Sequence, residues 1–215
     1  MINNVVFLGD SLTSGENNNY TSFAHYYKDS SNDNVFVLGL SGSCFGNYSI
    51  YPVNQSLFDM LNSYNFIYSA DTVFIEFGIN DVASVISSYV DLQQVYIAIV
   101  RALDLIQQKN SNIKIIFLLP FKNIPYEYCD NYVGYLLRVY FKDYPIDIQG
   151  PLTFKKTYNS LVNFIELNHN VIFMNEYLLN NSFENYLDKD GIHLNDSGYR
   201  LVAANLATYL KENNL

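Results

Sequence analysis

The sequence predicts an α/β fold, open and doubly wound, with right-handed crossovers around a parallel sheet. Three observations carry that expectation. Short β-branched and aromatic runs alternate five times with longer stretches of helical periodicity. Each short run is nearly continuous in apolar residues, as strands are when helices cover both faces of a sheet. No repeat, linker or low-complexity segment divides the 215 residues, a length that suits one domain over 1–215.

The elements follow in chain order. A strand is expected at 4–8 (Asn-Val-Val-Phe-Leu), then a helix near 20–29. A second strand at 35–38 (Val-Phe-Val-Leu) precedes a helix near 55–65. The third strand, 72–77 (Thr-Val-Phe-Ile-Glu-Phe), leads to a helix over 91–109. The fourth, 113–119 (Ile-Lys-Ile-Ile-Phe-Leu-Leu), is followed by the one irregular stretch, a Tyr-rich loop insertion at 120–150. It holds three prolines and the tyrosines 126, 128, 132, 135, 140 and 144, with a short helix expected over 132–141. Loops of that length on a small domain are usually functional. A helix over 151–168 and a fifth strand at 171–174 (Val-Ile-Phe-Met) come next. The last helix starts near 197, capped by Asn195, Asp196 or Ser197, with Tyr199, Val202, Ala203, Leu206, Tyr209 and Leu210 at three- and four-residue spacing.

Composition excludes several classes of function. Hydrophobic residues make up 49% and charged ones 15%, so a sizeable core is expected and disorder is not. A net charge of −9 repels phosphate backbones and argues against nucleic acid as a partner. No apolar run approaches the roughly 20 residues of a transmembrane helix, so no integral membrane association is expected. The start, Met1-Ile2-Asn3-Asn4 running into Val5-Val6-Phe7-Leu8, is too short and uncharged for a signal peptide, which makes a cytoplasmic address the default. Cys44 and Cys129 make no disulfide framework and show no metal-like spacing.

In open α/β sheets ligands bind beyond the carboxyl ends of the strands, so the segments there are read for chemistry. They are Gly9-Asp10-Ser11-Leu12, Gly39-Leu40-Ser41-Gly42-Ser43 and Gly78-Ile79-Asn80-Asp81, with Asp190-Gly191-Ile192-His193 before the last helix. Ester cleavage needs a nucleophile, a base, a group that orients the base, and donors for the oxyanion. Ser11 supplies a hydroxyl on a tight turn. His193 supplies the base, and Asp190, three residues before it, can reach its Nδ1 and set the tautomer. The oxyanion donors are the N–H groups of Ser11 and Gly42 and the side-chain amide of Asn80. The three motifs around Ser11, Asn80 and His193 would arise together by chance about once in ten thousand such compositions.

Along nearly its whole length the chain resembles the SGNH hydrolases, the GDSL esterases and lipases. Val6-Phe7-Leu8-Gly9-Asp10-Ser11-Leu12 is similar to the first family block, Gly39-Leu40-Ser41-Gly42 to the second, Gly78-Ile79-Asn80-Asp81 to the third and Asp190-Gly191-Ile192-His193-Leu194-Asn195 to the fifth. The resemblance implies a flavodoxin-like three-layer α/β/α sandwich on a five-stranded parallel sheet. It implies a nucleophile at Ser11, an acid and base at Asp190 and His193, an oxyanion hole of Ser11, Gly42 and Asn80, and no metal or organic cofactor. Val37, Ser43 and Leu194 depart from the family's frequent Asn, Asp and Pro, and none of these removes a catalytic group.

Other residues invite plainer expectations. Asp10 braces its turn, and Asp81 supports a loop or caps a helix. Glu76 is a buried, paired carboxylate. His25 packs or faces solvent, His169 sits in a turn, and Cys44 packs as a small hydrophobe. Asp188, five residues before His193, is the lesser candidate for orienting it. Tyr126, Tyr128 and Tyr132 are candidates for a substrate-binding wall, since a Tyr offers a large apolar body with a polar tip. The expected activity is ester hydrolysis through an acyl-enzyme, on a short acyl group such as acetyl, with a small-molecule or carbohydrate substrate. The alternatives are a lysophospholipase or acyl-thioesterase, an acyltransferase, and a non-catalytic binding module. A nucleotide or flavin site is disfavoured, because the first loop lacks a Gly-rich phosphate cradle.

Overall fold

The computed structural model describes residues 3–51, 55–139 and 150–213. In chain order its strands and α-helices are β1 (Asn4–Gly9), α1 (Ser11–Ser14), α2 (Phe23–Ser30), β2 (Asn34–Gly39), α3 (Leu57–Ser63), β3 (Thr72–Glu76), α4 (Ile79–Ile86), α5 (Leu92–Lys109), β4 (Lys114–Leu119), α6 (Tyr126–Val139), α7 (Pro151–Glu166), β5 (Asn170–Phe173) and α8 (Asp196–Glu212). The five strands form one parallel sheet in the order β2-β1-β3-β4-β5. Every strand expected from the sequence is present, with ends shifted by no more than one residue.

The middle residues of the central strands are apolar because both faces are covered. Val6, Phe7 and Leu8 of β1 and Val73, Phe74 and Ile75 of β3 are all buried. Phe7 stacks on Phe74 with ring centroids 4.7 Å apart and meets Phe23 and Tyr27 of α2 edge-on at 5.8 and 5.5 Å. Helix α2 packs on α8, while α3, α5 and α7 pack in sequence, joined by α4 and α6. β2 is an edge strand, and its Phe36 stays 37% exposed, resting on Phe66 at 4.7 Å.

Local chemistry sets the helix ends. Ser22, Ser56 and Asp91 open α2, α3 and α5 with capping boxes completed by His25, Asp59 and Gln94. Pro151 sits in the first turn of α7, where its missing N–H costs nothing. Asn195 caps α8 by accepting from Gly198 N at 3.0 Å. In α5 the buried residues Val95, Ile99, Ala102, Leu103 and Ile106 follow the helical period, and each large one contributes about 1.5–3 kcal/mol on burial.

The structure corrects the sequence reading in two places. Residues 120–150 are not one irregular loop, because α6 begins directly after Pro125, six residues earlier than expected. Tyr140, Tyr144 and the end of the expected 132–141 helix lie outside the described residues. Helices α1 and α4 were not foreseen. Seven of the eight residues of α4 are buried, and its β-branched Ile79, Val82, Val85 and Ile86 are held helical by packing rather than by propensity. Among the described residues, no helix is long and apolar enough to cross a membrane.

Candidate active site

The strand order reverses at β1, with β2 on one side and β3 on the other, which opens a crevice at their carboxyl ends. Gly9 ends β1 in register with Gly39 and Glu76. A Cβ there would lie 2.0 Å from Thr13 Oγ1 and 2.7 Å from the Glu76 carbonyl, so only glycine lets the chain turn this tightly. Asp10 then caps α1 by accepting from Leu12 N at 3.0 Å, as expected of a turn brace, and Ser11 is presented at the crevice.

His193 arrives from the opposite end of the sequence. Gly191, with φ of +71°, turns the loop before α8 so that Asp190 Oδ1 accepts from Ile192 N at 2.9 Å and His193 N at 3.0 Å. The other oxygen, Oδ2, meets His193 Nδ1 at 2.6 Å, and His193 Nε2 meets Ser11 Oγ at 2.9 Å. A carboxylate at Nδ1 keeps the proton on that nitrogen, which leaves Nε2 free to accept from the serine hydroxyl. Burial pushes Asp190 up, but its bonds from His193 and the loop amides outweigh that and hold it below the ordinary carboxylate range. Asp188 is turned elsewhere, towards Lys189 N and Asn17. Asn17, which sequence reasoning passed over, ties the two loops together. Its Nδ2 donates to the Leu194 carbonyl at 2.9 Å, and its Oδ1 accepts from Tyr199 at 2.9 Å.

The candidate oxyanion donors converge from three strands. The backbone N–H groups of Ser11 and Gly42 have no acceptor among the described residues. Gly42 has φ of +79°, and a Cβ on it would lie 2.8 Å from Tyr51 Cβ. Asn80 faces the same cleft, but its amide is not idle. Nδ2 donates to Asp10 Oδ2 at 3.0 Å and to the Ser43 carbonyl at 3.1 Å, while Oδ1 accepts from Tyr132 at 2.8 Å.

Beneath the site lies an acidic floor. Burial pushes Asp10 up to about 6 despite its bond from Leu12 N. Glu76 is pushed well above its ordinary range by burial and then by the adjacent Asp10; its Oε2 accepts from Thr13 Oγ1 at 3.0 Å. Asp81 supports the Gly42 loop by accepting from Phe45 N and Tyr48 Oη at 3.0 and 2.7 Å. Cys44 is buried, and burial followed by the Asp81 charge pushes its thiol well up, as suits a packing residue. His25 and His169 lie outside the cleft, the first in the α2 capping box and the second against Phe117.

The cleft has a volume of about 430 Å³. Ser11, Gly42, Asn80, Asp190 and His193 all line it. Of the three tyrosines expected at a binding wall, only Tyr132 reaches it. Tyr126 is 47% exposed and turned away, and Tyr128 is buried, donating to the Ile192 carbonyl at 3.0 Å to brace the His193 loop. Tyr51, Glu16 and Ser41, which carry no expected role, also line the cleft, as does Tyr135 from the Tyr-rich stretch. Tyr135 shared the helical spacing of Tyr128 and Tyr132, a signal that was available. Among the described residues there is no group of three or more His, Cys, Asp or Glu side chains that could hold a metal ion.

Residues 7–201 match the model of the GDSL-like Lipase/Acylhydrolase family. No curated protein matches. Among solved structures, the chain is similar to a protein provisionally assigned to the lipolytic G-D-S-L family from Desulfitobacterium hafniense DCB-2, with a TM-score of 0.61, 18% identity, and coverage of 96% of this chain and 98% of that one. A catalytic mutant of an acetylxylan esterase from Geobacillus stearothermophilus gives a TM-score of 0.57 at 18% identity, covering 98% and 93%. A carbohydrate esterase family 2 enzyme with its carbohydrate-binding domain from Corynascus thermopiles gives 0.58 at 17%, covering 98% and 66%. At these identities the likeness is one of fold, the three-layer α/β/α sandwich.

Proposed function

The chain belongs to the GDSL-like lipase/acylhydrolase family, and from that premise we propose that it is a serine ester hydrolase acting through an acyl-enzyme on a short acyl group, acetyl on a small or carbohydrate alcohol. The observation that carries this reading is the unbroken relay Ser11 Oγ–His193 Nε2–Nδ1–Asp190 Oδ2, at 2.9 and 2.6 Å, opening into one cleft. His193 takes the proton as Ser11 Oγ bonds to the ester carbonyl carbon, and the imidazolium is stabilised by Asp190. The oxyanion receives the N–H groups of Ser11 and Gly42 and one Asn80 amide N–H. Being charged, it competes for that N–H against the neutral Ser43 carbonyl. The tetrahedral intermediate collapses as His193 protonates the leaving alcohol, and water then repeats the sequence on the acyl-serine to release the acid.

The short acyl group is supported by the cleft itself. Tyr51 lies against Gly42 and bonds to Tyr132, so two buried tyrosines flank the place where an acyl chain would extend. Serine, asparagine and glutamate side chains at the cleft suit a polyol leaving group. The carbohydrate esterases of similar fold agree with that choice. The test is hydrolysis of p-nitrophenyl acetate through octanoate at pH 8 by wild type and Ser11→Ala. Activity should peak at acetate and vanish in the variant. A peak at octanoate would favour the lysophospholipase or thioesterase reading. Sugar ester formed in excess of free acid would favour acyl transfer, and equal rates for both proteins would overturn the hydrolase reading.

A further inference from the structure

Tyr132 does more than line the cleft. Its ring is 4% exposed and packs against Phe154, Tyr128 and Tyr135 at centroid distances of 5.2, 6.3 and 6.3 Å. Its hydroxyl bonds to Asn80 Oδ1 and to the Tyr51 hydroxyl, each at 2.8 Å. The directions of these bonds are determined. An amide oxygen only accepts, so the Tyr132 proton goes to Asn80, and Tyr51 is then the donor to Tyr132. The chain of donors runs Tyr51 to Tyr132 to Asn80 to Asp10 and Ser43.

In such a chain each bond polarises the next. Electron density drawn to the Asn80 oxygen leaves its N–H groups stronger donors. The chain also fixes the amide's orientation, since a flipped amide would aim its oxygen at the Asp10 carboxylate and the Ser43 carbonyl. At the other end, the Tyr51 ring lies against Gly42. The tyrosine pair therefore spans the two oxyanion donors that the loop after β2 and the first turn of α4 deliver separately.

We propose that Tyr132, backed by Tyr51, is a positioning residue that orients and polarises the Asn80 amide for oxyanion stabilisation; this rests on the esterase reading above. Burial, followed by the neighbouring Tyr51, pushes the Tyr132 phenol well above its ordinary range, so it remains a donor at every working pH.

Tyr132→Phe keeps the ring and its packing and removes only the hydroxyl. On p-nitrophenyl acetate its kcat should fall about three- to tenfold, with KM within about twofold of wild type and the same factor at pH 7 and pH 9. Asn80→Ala should lose about 10²–10³ in kcat. A residue acting through Asn80 has nothing further to lose once Asn80 is gone, so adding Tyr132→Phe to Asn80→Ala should leave kcat unchanged. Tyr51→Phe, one bond further back, should lose less than Tyr132→Phe and nothing more in its background. An unchanged kcat in Tyr132→Phe, a loss confined to KM, or a full independent loss in the Asn80→Ala background would each overturn the proposal. Ser11→Ala in the same assay separates the two levels. Wild-type activity there would overturn the esterase reading and this proposal together. Loss in Ser11→Ala with none in Tyr132→Phe would overturn this proposal alone.

Discussion

Replacing Asp81 with Asn tests how burial governs the floor of the site. Asp81 is fully buried, its Oδ1 satisfied by Phe45 N and Tyr48 Oη, its Oδ2 without a partner among the described residues. Burial pushes it from the ordinary 3.8 up to about 7 against the pull of those two bonds. Between these values the folded protein keeps a proton that the unfolded chain has released, so stability falls as pH rises through that window. From pH 5 to pH 8 the difference removes about 2.5 kcal/mol. For a chain of this length, that is about 5–10 °C in Tm. Asn keeps an acceptor for both donors and is neutral at every pH, and its amide N–H stands where the protonated acid has its own unpaired O–H. Asp10 and Glu76 titrate in both proteins, so the comparison isolates Asp81 together with the Asp10 charge that helps to raise it. Urea denaturation at pH 5 and pH 8 should show the stability of Asp81→Asn relative to wild type rising by about 2.5 kcal/mol between the two. An identical stability difference at the two pH values would refute the burial argument.

Two further substitutions probe the relay and the oxyanion wall. Asp190→Asn retains an oxygen for the Ile192 and His193 amides, so Tm should hold, but its NH₂ group forces the His193 proton onto Nε2. With the base in the wrong tautomer, kcat should fall about 10³–10⁴-fold, measured by steady-state hydrolysis of p-nitrophenyl acetate. Less than a tenfold loss would remove Asp190 from the relay. Gly42→Ala places a Cβ 2.8 Å from Tyr51 Cβ at a φ of +79°, which costs about 1–3 kcal/mol of stability and shifts the donor N–H. Its kcat should fall at least about tenfold, with Tm reduced by several degrees. A wild-type kcat would show that the Gly42 amide takes no part.

Much of this was legible in the sequence for a specific physical reason. Strands buried on both faces have few acceptable residues, so Val5 to Leu8, Val73 to Ile75 and Ile115 to Leu119 read as strands by content alone. Once they were placed, topology put the segments after them at one edge of the sheet, and Ser11, Gly42 and Asn80 followed. Asp190 and His193 were visible because three residues of backbone suffice to join them. What stayed hidden depends on contacts distant in sequence. Helix α4 is short and half β-branched, and α5 and α7 enclose it. Tyr51 and Tyr132 are 81 residues apart and meet only when the Gly42 loop and α6 face each other; the spacing of Tyr128, Tyr132 and Tyr135 sets them on one helix face away from the exposed Tyr126, but nothing local points to Tyr51 as their partner. The engagement of the Asn80 amide by Asp10 and Ser43 is likewise invisible without the fold.

The central claim is that Ser11, activated through His193, is the nucleophile of an ester hydrolase. The most direct measurement is stoichiometric labelling with diethyl p-nitrophenyl phosphate, in which the serine oxygen bonds to phosphorus and p-nitrophenolate leaves. Intact-mass and peptide mass spectrometry should find one diethylphosphoryl group per chain, on Ser11, formed in step with loss of esterase activity and absent from His193→Ala over the same time. An unlabelled but inactivated enzyme, a label on another residue, or equal labelling of His193→Ala would contradict it.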